Sequence, residues 1–335
     1  MNKKIALVTG GLGLIGSTLI KFINQNYKNY EIICVDTLDN NKKFKNIVGL
    51  NIKDFLSLED FLKKQSEIIK HVDYIYHLGA CSSTTEESLH HLYHRNVRMT
   101  INLINDFIFL RKNKIDYKTK IAIASSASTY GDGQNGFDDK TENIQILKPL
   151  NSYGISKQLV DLYLKNNDLF KEVLSLKFFN IFGVNEFHKG HMRSIAHWGV
   201  ESIINNNCIK LFKSCNPEYA DGEQVRDFLD AEKAVAIMDH LINNTTGIYN
   251  VGCGEAISWR EMANTIIDSL KIKQEGIFLQ YVEMPNKLKN KYQYYTKAEM
   301  NKYELPENLI PNKKDVLSSL SDISNQVYDD MKKLT

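Results

Sequence analysis

Short apolar runs alternate with longer segments of helical periodicity through the first half of the chain. The apolar runs have the length of strands and are Ile5–Thr9, Glu31–Val35, Val72–His77, Lys120–Ala124 and Val173–Phe178. The segments with helical spacing are Leu14–Ile23, Leu58–Ile69, Glu86–Phe109 and Tyr153–Asn166. Because buried strands that alternate with helices form βαβ units, we expect an α/β fold with a Rossmann-type, doubly wound parallel sheet.

The pattern is less regular after about residue 180. It predicts helices at Ser194–Asn205, Ala231–Ile242 and Ser258–Leu270, a strand at Ile248–Val251, and polar loops at Asn205–Asn207 and Ser214–Gln224. No linker rich in proline, glycine or serine separates the two halves. Residues 1–180 contain the glycine-rich turn Gly10–Gly16 and the helix-spaced pair Tyr153 and Lys157, so we expect there a dinucleotide-binding domain that includes this candidate catalytic pair. A smaller α/β domain at 181–335 would bind mainly substrate, with a soft boundary that allows the two parts to interleave.

Composition excludes several classes of protein. Of 335 residues, 43% are hydrophobic and 24% charged, as in soluble globular proteins. The net charge of +2 provides no strong attraction to nucleic acid or to an anionic membrane. No apolar run is long enough for a membrane span or a signal peptide. The five cysteines include no CxxC pair, so we expect a cytoplasmic, reduced protein without a metal site.

A glycine-rich turn follows the first predicted strand and opens the first predicted helix. Gly11, Gly13 and Gly16 fit the spacing GxGxxG, and Gly10, Gly13 and Gly16 fit the wider GxxGxxG. Residues without a Cβ let backbone N–H groups and a helix N-terminus approach a pyrophosphate. Asp36 lies 20 residues beyond Gly16, where a carboxylate can accept hydrogen bonds from an adenine ribose. This arrangement predicts a bound dinucleotide.

The choice between NAD and NADP depends on charges near that ribose. Asp36 alone favours a ribose without phosphate. Lys42 and Lys43 follow shortly and could pair with a 2′-phosphate, or could simply belong to a solvated loop. Both NAD and NADP therefore remain candidate cofactors.

Tyr153 and Lys157 form a candidate catalytic pair. At positions i and i+4 of a helix, their side chains lie on one face. A phenol has an ordinary pKa of about 10, which a neighbouring ammonium and an oxidised nicotinamide would lower. The phenolate could then take a proton from a substrate hydroxyl. The serine-rich turn Ser125–Gly131 follows a predicted strand, and a serine there could hydrogen-bond the same oxygen.

The motifs together resemble those of the extended short-chain dehydrogenases/reductases, and within them the family of ADP-L-glycero-D-manno-heptose 6-epimerases. The general motifs are Thr9–Gly16, Ser125–Gly131 and Tyr153–Lys157. The more specific ones are Gly79–Glu86, Lys148–Gly154, Phe179–Gly183, His188–Gly190 and Pro285–Gln293. The resemblance extends over nearly the whole chain.

This resemblance implies an epimerase that oxidises C6 of an ADP-activated heptose to a ketone and reduces it again from the opposite face. It implies Tyr153 and Lys189 as the two acid/base residues. Lys157 would orient the nicotinamide ribose, and Ser126 would hold the reacting oxygen. One NADP, or alternatively NAD, would stay on each subunit through turnover. The resemblance further implies a role in building the lipopolysaccharide inner core. It also implies a homo-oligomer, with a pentamer expected.

The resemblance also transfers binding residues position by position. The implied cofactor-binding residues, besides Lys157, are Gly10, Gly13, Leu14, Ile15, Gly16, Asp36, Thr37, Lys43, Leu78, Gly79, Ala80, Cys81, Ser82, Asn96 and Ile181. The implied residues for the sugar-nucleotide substrate are Ser126, Asn180, His191, Trp198, Phe212, Arg226 and Tyr292. The planar fork of Arg226 suits a diphosphate.

Some positions depart from the family pattern. His191 stands where a small serine is usual. Trp198 occupies the spacing of an expected substrate histidine, with His197 one residue early. The segment 213–224 is longer than expected. These departures concern recognition of the sugar and nucleotide more than the redox chemistry.

Three other functions fit parts of the pattern. A sugar-nucleotide 4,6-dehydratase needs an acidic pair where Ala127 and Ser128 stand. A 4-epimerase uses a single tyrosine, so it would not need Lys189. A non-enzymatic NAD(P)-sensing module would keep the glycine turn without Tyr153, Lys157 and Ser126 together.

Overall fold

The central feature of the computed structural model, which describes residues 3–114, 116–289, 292–300 and 304–333, is a seven-stranded sheet. Its strands are β1 (Lys4–Thr9), β2 (Tyr30–Asp36), β3 (Asp54–Ser57), β4 (Tyr74–His77), β5 (Lys120–Ser126), β6 (Leu174–Phe178) and β10 (Gly247–Val251). They lie in the order β3–β2–β1–β4–β5–β6–β10, and every neighbouring pair is parallel. The predicted Rossmann-type α/β fold is confirmed.

Helices cover both faces of this sheet. The helices are α1 (Leu14–Asn26), α2 (Leu58–Ile68), α3 (Leu89–Leu92), α4 (Met99–Asn113), α5 (Ser152–Asn166), α6 (Ile195–Asn206), α7 (Ala231–Asn244), α8 (Trp259–Leu270), α9 (Asn286–Lys289) and α10 (Lys313–Lys332). Alternate residues of β1 enter different cores: Ala6 and Val8 pack with α1 and α7, whereas Leu7 packs with α2, α4 and α5. This burial on both faces explains the continuous apolar runs in the sequence.

The segment after residue 180 adds two small sheets. One consists of β7 (Asn180–Phe182), β9 (Val225–Asp230) and β11 (Ala256–Ser258), and the other of β8 (Cys208–Phe212) and β12 (Phe278–Val282). The sequence analysis did not predict these short strands, nor β3 and α10. Strand β10 lies beyond residue 180 yet pairs with β6 in the large sheet. The two-domain division therefore stays a prediction, with its parts interleaved.

The predicted helix Glu86–Phe109 differs in detail from the structure. The helical segment begins only at Leu89, because the Ser88 side chain accepts a hydrogen bond from the His91 N–H and caps it. A π-helical stretch, Tyr93–Arg98, joins α3 to α4, and α4 continues to Asn113. The polar segment Ser214–Gln224 contains no helix or strand, as predicted, whereas α6 continues to Asn206 through part of the other predicted loop.

The carboxyl ends of β1, β2, β4, β5 and β6 meet at one edge of the sheet. The strand order reverses between β1 and β4: β2 and β3 follow on one side of β1, and β4, β5 and β6 on the other, which is where α/β sheets of this order open a crevice for ligands. Within the described residues, no helix is both long enough and apolar enough to cross a lipid bilayer.

Candidate active site

The glycine turn is built around contacts that leave no room for side chains. A Cβ on Gly16 would lie 2.2 Å from the carbonyl oxygen of Gly10, and one on Gly10 would lie 2.7 Å from the backbone of Gly79. Gly10 also has a φ of +69°. Gly10, Gly13 and Gly16 line a cleft, whereas Gly11 faces Cys34 in the core. The GxxGxxG spacing is therefore the one that faces the cleft, and its shape fits a pyrophosphate.

Asp36 ends β2 at the far side of this turn. One carboxylate oxygen accepts the backbone N–H of Leu12 at 2.9 Å, and the other accepts that of Thr37 at 2.7 Å and the Lys43 ammonium at 3.1 Å. Lys43 also donates to the Thr37 hydroxyl at 2.9 Å. Asp36, Thr37 and Lys43 all line the cleft. The negative charge of Asp36 is thus balanced by a cation within the cleft itself.

The opposite wall follows β4. Leu78, Gly79, Ala80, Cys81 and Ser82 line the cleft, together with Leu14 and Ile15. Asn96 is fully buried behind Cys81, where it exchanges hydrogen bonds with the Cys81 backbone at 2.8 and 3.0 Å and donates to Ser156 at 3.0 Å. Asn96 therefore holds this wall against α5. The cleft has a volume of about 430 Å³.

Tyr153 is positioned by the start of α5. The Asn151 side chain accepts the Gly154 N–H at 2.7 Å, which fixes the first turn of the helix. A Cβ on Gly154 would lie 2.7 Å from the carbonyl oxygen of Ser128, so glycine lets the helix approach the serine-rich turn. Ser126 accepts from the N–H of Ser128 at 3.1 Å and from its hydroxyl at 2.9 Å. Tyr153 and Ser126 consequently line the same cavity.

Lys157 lies one helical turn further along α5 and is buried. Its ammonium donates to the carbonyl of Ala124 at 2.7 Å and lies 6.0 Å from the centre of the Tyr153 ring. Burial lowers the pKa of Lys157 to about 8, although the carboxylate of Asp161 acts in the opposite direction. The predicted i and i+4 geometry of Tyr153 and Lys157 is present.

Burial also raises the pKa of the Tyr153 phenol, while its hydrogen bond with Ser126 acts to lower it. The protein alone therefore favours the neutral phenol. A Tyr153 base needs additional positive charge beside the oxygen.

Lys189 lies on a different segment, the helical turn Phe187–Met192 between β7 and α6. Its ammonium pairs with the buried carboxylate of Glu186 at 3.1 Å, and its side chain is 21% exposed. The structure thus gives this lysine a charged partner three residues earlier in the chain.

Two clefts meet at Lys189. The first is the dinucleotide cleft already described. The second has a volume of about 540 Å³, and its wall includes Ser126, Tyr153, Lys189, Asn180 and Arg226. Ser82, Lys189 and Met192 belong to both walls. The structure therefore brings the predicted tyrosine, serine and second lysine to one cavity.

Several predicted substrate residues line this second cleft. Arg226 is buried, donates to the Val225 carbonyl at 2.9 Å, and lies 5.4 Å from the centre of the Tyr292 ring. Burial lowers the pKa of the Arg226 guanidinium and raises the pKa of the Tyr292 phenol. Trp198 and Ile181 also line this cleft, although Ile181 was assigned to the cofactor.

Two predicted substrate residues lie outside the cleft wall. Phe212 packs behind Tyr292, with ring centres 6.5 Å apart. His191 is exposed, and its Nε2 lies 3.5 Å from the Thr85 hydroxyl. His197 is fully buried and meets the Gly183 carbonyl at 3.0 Å, so Trp198 is the member of this pair that faces the cleft.

Sequence reasoning missed other residues of the walls. Glu186, Arg193, Trp259, Gln293 and Thr296 line the second cleft, and Arg95 lines the first. Glu186 had a local signal, since it lies three residues before Lys189. Trp259 and Thr296 had none, because Trp259 is the first residue of α8 and Thr296 lies in a segment without helix or strand, and no local pattern shows that either position faces the cleft. Asn290 and Lys291, in the motif Pro285–Gln293, lie outside the described residues.

The parallel sheet, the glycine cradle and the Tyr/Lys pair define a nicotinamide-dependent dinucleotide-binding protein. Residues 6–252 match the model of the NAD dependent epimerase/dehydratase family. The chain belongs to this family, and the predicted resemblance is confirmed.

Two individual relatives of the chain carry the same protein name. The chain is 37% identical over 300 residues to the ADP-L-glycero-D-manno-heptose-6-epimerase of Nitratidesulfovibrio vulgaris strain DP4, covering 88% of this chain and 90% of that one. It is 36% identical over 310 residues to the protein of the same name from Fusobacterium nucleatum, with coverage of 88% and 90%.

Solved structures agree on the fold. The Helicobacter pylori ADP-L-glycero-D-manno-heptose-6-epimerase aligns with a TM-score of 0.76 at 24% identity, covering 98% of this chain and 97% of that one. The UDP-N-acetylglucosamine 4-epimerase of Methanobrevibacter ruminantium M1 aligns with a TM-score of 0.77 at 21% identity, with coverage of 99% and 100%. Since both identities are below 25%, these likenesses concern the fold alone.

Proposed function

We propose that this protein inverts C6 of ADP-D-glycero-D-manno-heptose to give ADP-L-glycero-D-manno-heptose, as a step toward the lipopolysaccharide inner core. The observation that carries the proposal is the presence of Tyr153 and Lys189, from separate segments, on one cleft wall beside the dinucleotide cleft. The names of the curated relatives support the choice of sugar and nucleotide. The reaction oxidises the C6 alcohol to a ketone and reduces that ketone from its other face.

Tyr153 is the proposed base on the α5 side. A bound nicotinamide supplies the acceptor and donor of the two electrons at C6. Because burial raises the pKa of Tyr153, the phenolate depends on nearby positive charge, which the Lys157 ammonium provides. The phenolate takes the proton from the C6 hydroxyl, and Ser126 holds the oxygen in place.

Lys189 is the proposed acid/base group on the opposite side of the sugar carbon. Inversion requires hydride to return to the face of the C6 carbonyl opposite the one it left. Because one nicotinamide would serve both steps, the ketone would have to turn its other face toward it, and its oxygen would then need a second acid/base group. Lys189 belongs to a segment separate from α5, and its position on both cleft walls supports this role.

We propose NADP as the cofactor, with NAD as the alternative. Lys43 lies 3.1 Å from Asp36 and balances its charge, which reduces the repulsion of a 2′-phosphate. Denaturing the purified protein and identifying the released nucleotide by mass spectrometry tests this choice. Release of NAD alone would contradict it.

Arg226 and Tyr292 are the proposed contacts for the diphosphate and its sugar. A buried guanidinium on a cleft wall can form two parallel hydrogen bonds with a phosphate. Asn180 and Trp198 lie on the same wall and would contact the heptose. Phe212 would support the Tyr292 ring from behind instead of contacting the substrate.

We also propose a cytoplasmic homo-oligomer, and a pentamer by the family resemblance. Leu89, Tyr93, Ile155 and Leu159 are exposed apolar side chains on the neighbouring segments α3, the π-helical stretch and α5. Contact with a second copy of the chain would remove them from water. Light scattering coupled to size-exclusion chromatography measures the subunit number, and a monomer would contradict this proposal.

The direct test is incubation of the purified holoenzyme with ADP-D-glycero-D-manno-heptose, followed by chromatographic separation of the two C6 epimers. We expect an equilibrium mixture from the wild type. If no second epimer forms while a UDP-hexose is converted at C4, the protein is a 4-epimerase, which the fold alone would also accommodate. Full turnover of Lys189→Met would favour the same alternative.

A further inference from the structure

Glu186 is a buried carboxylate next to the proposed acid/base lysine. Its side chain is only 1% exposed. One oxygen accepts the Gly183 N–H at 3.1 Å and the Ser194 hydroxyl at 2.6 Å, and the other accepts the Ser194 N–H at 2.9 Å and the Lys189 ammonium at 3.1 Å. Each oxygen therefore accepts two hydrogen bonds, and the donors are Gly183 and Ser194 at the two ends of the loop and Lys189 within it.

These partners explain how the carboxylate stays charged. Burial alone would raise the pKa of Glu186, but Lys189, His197 and the hydrogen bonds from Ser194 bring it below its ordinary value. Burying an unpaired carboxylate is strongly unfavourable, so such a group persists only where several donors surround it. Glu186 is consequently a fixed negative charge on the wall of the second cleft.

Lys189 needs this support because its backbone does little to fix the position of its side chain. It lies in a short helical turn that is broken at Gly190, where φ is +55°. Its own side chain has four carbons of free rotation. The ammonium nevertheless sits where the two clefts meet, held by one ion pair.

We propose that Glu186 is a positioning residue that holds the Lys189 amine at the junction of the clefts and balances its charge as it gives up and regains a proton. This inference rests on the proposed role of Lys189 in C6 epimerisation. In this role Glu186 acts through Lys189 rather than on the reacting atoms.

A double-mutant cycle tests the proposal. Glu186→Gln keeps the size and an oxygen acceptor but removes the charge. We expect kcat to fall about 30-fold or more with KM within about threefold, since positioning acts on the reacting groups. In a Lys189→Met background, the same change should lower kcat by less than about twofold, because its effect passes through the lysine.

Acetylation of Lys189 by dilute acetic anhydride, measured by mass spectrometry on the holoenzyme, provides a readout independent of turnover. In Glu186→Gln we expect the reactivity of Lys189 to change several-fold relative to the surface lysines. Glu232→Gln is the control, because Glu232 pairs with Lys21 at 2.8 Å and neither residue lines either cleft. This control should change neither kcat nor the labelling.

Equal losses from Glu186→Gln with and without Lys189 would overturn the proposal, as would unchanged labelling of Lys189. Melting curves and nucleotide content identify a variant that fails to fold. If Glu186→Gln does so, Glu186→Asp, which keeps the charge but shortens the side chain, takes its place in the same double-mutant cycle and labelling experiment, with the same outcomes overturning the proposal. Absence of C6 epimerisation in the wild type would instead reject the proposed function, which is a separate outcome.

Discussion

Tyr153 and Lys189 lie on the same cleft but are held there by different means. Tyr153 belongs to a fifteen-residue helix whose start is capped by Asn151 and whose buried face packs into the core. Lys189 belongs to a short turn, and a buried carboxylate orients it. On the α5 side, burial raises the pKa of Tyr153 and lowers the pKa of Lys157, the two proposed catalytic groups. On the loop side, ionic and hydrogen-bond contacts fix the position. The two sides should therefore respond differently to mutation and to pH.

The largest effect is expected when both sides are removed together. Because an acid/base group contributes about 10²–10⁴-fold to a rate, Tyr153→Phe combined with Lys189→Met should reduce epimerisation below detection. The nucleotide should stay bound, because neither residue holds the glycine turn. Chromatography of the C6 epimers and absorbance of the retained nucleotide measure both quantities. Measurable turnover by this variant would refute the assignment of roles.

Removing the cation on the α5 side should have the next largest effect. Lys157→Met is expected to lower kcat by about 10²–10³-fold, since the Tyr153 phenolate loses its neighbouring charge. The pKa of Lys157 is lowered to about 8, so its ammonium loses a proton as the pH rises through 8. The wild type should accordingly lose activity above that pH. A flat kcat between pH 7 and 10 would contradict the role of the Lys157 cation.

Substrate binding should be affected separately from both proton-transfer groups. Arg226→Lys replaces a buried planar fork by a single ammonium and should raise KM about tenfold while kcat changes less than about threefold. Arg260→Lys is the control, since Arg260 is half exposed and pairs with Glu223. A kcat loss in Arg226→Lys as large as its KM change would mean that Arg226 contributes mainly to the chemical step.

The smallest expected effect concerns the pH dependence of the free energy of unfolding. It compares a histidine buried in the core with a histidine on the loop side. His77, at the end of β4, is buried between Thr9 at 2.8 Å and Thr100 at 3.0 Å, and burial lowers its pKa to about 3. The unfolded chain binds a proton at His77 below pH about 6.5 and the folded chain does not. The free energy of unfolding should therefore decrease by about 1 kcal/mol per pH unit between pH 6 and 4 from this group.

Urea unfolding at several pH values measures that slope. His77→Gln should have a shallower acid dependence than the wild type, whatever its absolute stability. His188→Gln provides the comparison on the loop side, where burial lowers the histidine pKa to about 4. Equal slopes in His77→Gln and the wild type would show that the buried imidazole does not contribute.

Much of the α5 side could be predicted from sequence. The glycine spacing, Asp36, the apolar runs and the pair Tyr153/Lys157 follow local rules of strand, helix and turn, and the structure has each where the pattern indicated. The loop side could not be predicted in this way. Glu186 and Lys189 are only three residues apart, but their place on the cleft depends on the tertiary fold. The approach of Thr296 likewise depends on a contact over a long sequence distance, in which its hydroxyl accepts the Asp227 N–H at 3.0 Å. His191 and Phe212 matched family positions in the sequence, but their backbone places them outside the cleft wall.

The most direct test of the account uses ADP-D-glycero-D-manno-heptose carrying deuterium at C6. If the sugar carbon is oxidised and then reduced within one bound complex, the inverted product retains the deuterium at C6, as mass spectrometry would show, even in ordinary water. Loss of the label to solvent during inversion would mean that C6 is deprotonated rather than oxidised, and would contradict the central claim.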